Sequence, residues 1–123
     1  MRFDDMLATV LAQPRTTAAA RIAVWRQIVD LLAQRDDVAA SPQHIDALSL
    51  LDELRADVPD ADRIAAARGL RGRRIAPWLM AFFAEERPEI ASPVLLGADL
   101  APDDWIALLP AMRPSSRSLL RHR

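Results

Sequence analysis

The residues with the greatest chemical reach in this chain are its arginines. All 16 of its Lys and Arg positions are arginine, and lysine is absent. Arg68, Arg71, Arg73 and Arg74 crowd one short stretch around Gly69 and Gly72. Arg113, Arg117, Arg121 and Arg123 form a second group, in which Arg117 and Arg121 fall on one face of a helix. A guanidinium is a planar, permanently charged fork that meets two oxygens of a phosphate or carboxylate at once. Either group is therefore a candidate grip on phosphate, whether of nucleic acid or of a phosphorylated partner. The competing assignment sets these arginines against helix C-termini and nearby acids such as Glu85, Glu86 and Asp104. That assignment carries more weight, and the all-arginine usage is explained by a GC-rich coding sequence.

The other chemistry-bearing residues give less. Ser115, Ser116 and Ser118 lie near His122, but nothing in the sequence fixes a carboxylate behind that histidine. His44 with Asp46 and Asp52 lacks the closely spaced partners of a metal site, and reads as an exposed histidine at a helix start. The acidic doublets Asp4-Asp5, Asp36-Asp37, Glu85-Glu86 and Asp103-Asp104 are adjacent residues, which do not face each other on a helix. They read as solvated helix ends rather than acid–base dyads. With no cysteine, thiolate chemistry, disulfides and Cys-based metal sites are excluded. The expectation is a segment that is not an enzyme and carries no cofactor or metal.

The elements that must position these side chains are short helices. The chain has 123 residues, enough for one domain with its own core. Alanine and leucine dominate its apolar half, and valine and isoleucine never alternate over a long stretch, which argues against a sheet. Prolines and glycines cut the sequence into blocks. The first is Phe3 to Gln13, with a stripe of Phe3, Met6, Leu7, Val10 and Leu11. Thr16 is positioned to cap a second block running to Gln34, with Trp25, Ile28 and Leu32 on its inner face. Ser41 followed by Pro42 signals the start of a third, reaching Asp57. After residue 58 the blocks shorten and begin with proline. They cover Asp60 to Arg68 (stopped by Gly69), Pro77 to Glu86, Glu89 to Leu96 (stopped by Gly97), Pro102 to Met112, and Pro114 onward. Trp25, Trp78 and Trp105 sit among apolar neighbours and read as core.

Short helices cannot bury their apolar faces alone, and stacking αα-hairpins in series does so. The expected fold is all-α: a HEAT-like helical repeat, an αα-hairpin solenoid of seven to eight helices. Residues 1–58 would act as an N-terminal helical cap and 59–123 as the repeats. The last block has no stop signal, so the chain is expected to be the N-terminal part of a longer protein.

The second half also carries a resemblance. Arg63 to Arg68 resembles the first helix of a degenerate HEAT-like repeat, and Ile75-Ala76-Pro77-Trp78-Leu79 the start of its paired helix. Glu89-Ile90-Ala91-Ser92-Pro93-Val94-Leu95, followed by Leu100-Ala101-Pro102-Asp103-Asp104-Trp105, is the most distinctive part. Together these resemble a HEAT-like repeat family of alphaproteobacterial proteins, found alone or at the N-terminus of sensor histidine kinases. HEAT units are normally longer, about 40 to 47 residues, than the proline spacing here. The resemblance implies a regulatory, signal-input role in two-component signal transduction. Any kinase chemistry would lie beyond Arg123, because neither His44 nor His122 sits in a phosphoacceptor context and no glycine-rich nucleotide box is present.

The functional expectation is therefore a non-catalytic protein-interaction module whose partner is another protein or a downstream domain of the same chain. Nucleic-acid binding through the arginines is the alternative; some HEAT-like scaffolds are DNA glycosylases that hold DNA on a concave basic face. A net charge of −1 gives no global field toward nucleic acid or anionic membrane. The start MRFDDMLATVLAQ is acidic and amphipathic, unlike a signal peptide, and the apolar run from Ala76 to Ala84 is too short to span a bilayer. A cytoplasmic location is expected, with no membrane partner. An exposed groove lined by Leu or Trp would favour dimerisation.

Overall fold

A computed structural model describes residues 3–35, 40–97, 99, 102–108, 114 and 117. Among them the chain forms seven α-helices and no strand: α1 (Phe3–Leu11), α2 (Ala18–Leu32), α3 (Pro42–Leu54), α4 (Asp60–Arg68), α5 (Pro77–Ala84), α6 (Pro88–Gly97) and α7 (Pro102–Leu108). A 3₁₀ turn, Arg55–Asp57, finishes α3. Pro114 and Arg117 are helical, as the last block requires, whereas Arg113 and Arg121 lie outside the described residues.

Local chemistry accounts for most helix ends. Thr17, not Thr16, caps α2: its hydroxyl accepts from the Ala20 N–H at 3.0 Å, and its own backbone is extended. The two threonines are adjacent, so pattern alone does not choose between them. Ser41 caps α3 in a reciprocal box. Its Oγ accepts from the His44 N–H at 3.1 Å, and its own N–H donates to His44 Nδ1 at 3.2 Å. Histidine thus takes the place usually held by Glu or Gln. Gly69 ends α4 as expected. Helix α5 stops at Ala84, short of the expected Glu86. Pro88 disfavours helical backbone at Arg87, and the chain turns through Glu86, whose N–H donates to Phe83 O at 3.0 Å. Pro93 lies inside α6, where it has no N–H to donate to Glu89 O.

The helices pack on their near neighbours in the chain. α1 rests on α2 and α3, α2 on α3 and α4, α4 on α6, and α5 on α6 and α7. Trp25 of α2 ties the two halves together. It is fully buried, its Nε1–H donates to Leu51 O at 3.2 Å, and its ring lies 6.4 Å from the rings of both Phe82 and Phe83 on α5. One core therefore runs from Leu7 to Leu95. Each large aliphatic or aromatic side chain in it contributes about 1.5–3 kcal/mol.

The loop between α4 and α5 is strapped to the end of α6. Gly72 N–H donates to Gly97 O at 2.7 Å, and Asp99 N–H to Arg73 O at 2.9 Å. Gly72 has φ +73°, a conformation that costs any side-chain-bearing residue. Among the described residues no helix is long and apolar enough to cross a membrane.

Candidate functional site

The four arginines of the α4–α5 loop divide into two pairs. Arg73 is exposed but engaged by the fold: it donates to Ala33 O, at the C-terminal end of α2, at 3.0 Å. A cation there also meets the negative end of the helix dipole. Arg74 pairs with Asp99 at 2.9 Å beside the loop strap. These two serve the fold. The side chains of Arg68 and Arg71 have no hydrogen-bond or ion-pair partner among the described residues, and both residues are exposed. They line one basin of ≈ 250 Å³ with Ser92, Pro93 and Leu96 of α6. Of the second arginine group, Arg117 is exposed; Arg113, Arg121 and Arg123 lie outside the described residues.

Histidine 44 differs from expectation. It is only 4 % exposed, because its Nδ1 closes the capping box and its ring stacks on Trp78 at 4.6 Å. The same Ser-Pro start that announced the helix turns this side chain inward against α5. Among the described residues, no group of three or more His, Asp or Glu converges where a metal ion could sit.

Glu86 differs more. The acidic doublet reads as solvated, and Glu85 is exposed, but Glu86 is 3 % exposed. Two arginines hold it. Arg55 Nε lies 2.8 Å from Oε1, and Arg63 Nη1 reaches both carboxylate oxygens at 3.3 and 3.2 Å. The Arg55 Nε contact is close but misaligned, so that buried nitrogen makes an ion pair without a hydrogen bond. Arg55 also lies 4.3 Å over the Phe82 ring, and donates to Phe82 O at 3.4 Å. The network continues outward. Arg63 bonds Asp60 at 2.6 Å, and Arg87 closes on the other Asp60 oxygen. The hydrogen bond from Arg87, then that from Arg63, hold the Asp60 carboxyl below its ordinary 3.8; Asp60 in turn raises Arg87. Nothing in the spacing of Arg55, Arg63 and Glu86 marks this cluster. A turn immediately before proline, followed by a new helix, is the one local hint that Glu86 changes direction.

The surface also carries an apolar groove. Between α3 and α5 runs a groove of ≈ 340 Å³, floored by Leu48, Trp78, Ala81 and Phe82 and rimmed by Asp52 and Glu85. Ile45 stands at its edge, 54 % exposed, and extends the apolar surface of the groove. No family model matches this chain, and neither does any curated protein or solved structure.

Proposed function

We propose that this chain is a non-catalytic helical docking domain of HEAT-like build, which receives a protein partner in the groove between α3 and α5. The observation that carries this is the groove itself: half-buried and buried aromatic and aliphatic side chains line it, with Ile45 exposed at the edge and carboxylates at the rim. Such a surface costs solubility when bare and gains on being covered. A basic amphipathic helix fits it, with leucine-type side chains on the Trp78 floor and cations facing Asp52 and Glu85. Most helices pack on partners one or two places along the chain, which supports a serial build. The two buried titratable groups among the described residues, His44 and Glu86, are both engaged by the chain itself, one in a cap and one in a clamp. That leaves surface recognition as their neighbourhood's use. In a sensor histidine kinase, occupancy of this groove would bias the arrangement of the domains that follow, and a cytoplasmic setting fits that role.

The alternative, nucleic-acid binding, loses support because Arg73 and Arg74 are already committed to Ala33 and Asp99. The test is a photo-crosslinking amino acid placed at position 45 or, as control, at exposed position 23 on α2, in cells of the source organism. A defined protein or downstream domain that crosslinks from 45 and not from 23, and is lost with Leu48→Arg, supports docking. Equal crosslinking from both positions, or nucleic acid as the product, removes it.

A further inference from the structure

A second site lies away from the groove. We propose that Arg68 and Arg71 form a subsite for one phosphate group carried on a phosphorylated segment of a protein partner. Four observations build it. Both residues are exposed and, among the described residues, their side chains have no anionic partner. Both line the same basin, so their charges act on one ligand. The Ser92 hydroxyl lines it too and has no hydrogen-bond partner among the described residues, which leaves it able to donate to an oxygen. Beside these polar groups stand Pro93 and Leu96, the latter 41 % exposed.

The seat of Arg71 is shaped by its neighbour. A Cβ on Gly97 would come within 3.1 Å of Arg71 Cγ and 3.2 Å of its Cβ. Glycine at 97 therefore lets the Arg71 stem lie against the end of α6, beside the basin that Arg71 lines. The Gly72-to-Gly97 hydrogen bond fixes the same approach from the backbone.

The ligand class follows from what the basin has and what it lacks. A phosphate monoester offers several oxygens to two forks and a hydroxyl, the arrangement that makes charge-assisted bonds strong. Nucleic acid would need a run of cations tracking successive phosphates, and aromatic faces for its bases. Here the neighbouring cations Arg73 and Arg74, although exposed, each already have a partner, Ala33 O and the Asp99 carboxylate. The flanking lip is proline and leucine, which suits an aliphatic side chain next to a phosphoserine.

The test is fluorescence anisotropy with a labelled phosphoserine peptide flanked by leucines, against its unphosphorylated form, inorganic phosphate as competitor, and a DNA duplex of the same label. Binding of the phosphopeptide that is at least tenfold tighter than the unphosphorylated form is expected. Arg68→Gln and Arg71→Gln should each weaken it about tenfold or more, since a charge-assisted bond contributes about 1.5–3 kcal/mol. Arg73→Gln and Arg74→Gln should change it less than twofold. Gly97→Ala, which keeps every charge, should weaken it several-fold by displacing Arg71. Circular dichroism of each variant confirms folding. Three results would overturn the proposal: equal losses across all four arginines, which means diffuse attraction; duplex binding as tight as the phosphopeptide; or competition by inorganic phosphate at the peptide's own affinity, which means a free-anion site.

Discussion

Glu86→Ala removes a carboxylate that two arginines hold inside the fold. In the wild-type chain Glu86 is 3 % exposed, while the Arg55 and Arg63 side chains are 20 % and 13 % exposed. Deleting one partner of a buried ion pair leaves charge without compensation and costs about 3–5 kcal/mol. The two guanidinia keep some contact with water, so the lower end applies, about 3 kcal/mol. For 123 residues, an unfolding entropy of about 2.1 cal/mol/K per residue gives about 0.26 kcal/mol/K. The expected fall in Tm is then about 12 °C. Glu85→Ala, next door but exposed, should cost no more than about 1 kcal/mol, or about 4 °C. Differential scanning calorimetry of the two variants side by side is the assay. A double-mutant cycle of Glu86→Ala with Arg63→Ala should show coupling of about 0.5–3 kcal/mol. If Glu86→Ala lowers Tm by less than about 4 °C, or the cycle is additive, the clamp contributes nothing and its geometry has been misjudged.

His44→Ala loses one arm of the α3 capping box and the stack on Trp78; a loss of about 1–3 kcal/mol in urea unfolding is expected, with altered tryptophan fluorescence. Gly72→Ala meets no atom within 4 Å, so its cost is only that of positive φ, about 1 kcal/mol in the same assay. Asp60 has a folded-state pKa below its ordinary 3.8; its share of stability is present above that value and is lost as pH falls through the folded pKa. Asp60→Asn should therefore flatten the decline of Tm on acidification below about pH 4, and an unchanged acid limb would contradict the Arg87 and Arg63 contacts.

What the sequence by itself determined is the set of helices. Proline fixes φ and lacks an N–H, glycine ends a helix cheaply, and a Ser-Pro start has local partners. Those signals act within a few residues, so α4 from Asp60 to Arg68 and the start of α3 at Pro42 are legible from composition and order alone. The stripe positions also announce their burial: Trp25, Ile28 and Leu32 lie in the core as their spacing requires. What only the tertiary structure decided is which polar side chains are spent. Glu86 stands 31 residues from Arg55 and 23 from Arg63, and Arg73 reaches Ala33 across 40 residues. No local periodicity encodes such pairings, because they depend on where separate helices cross. The same crossings buried His44, committed Arg73 and Arg74, and left Arg68 and Arg71 open beside Ser92. Charge type is a property of the chain; whether a charge is available to a partner is a property of the packing around it.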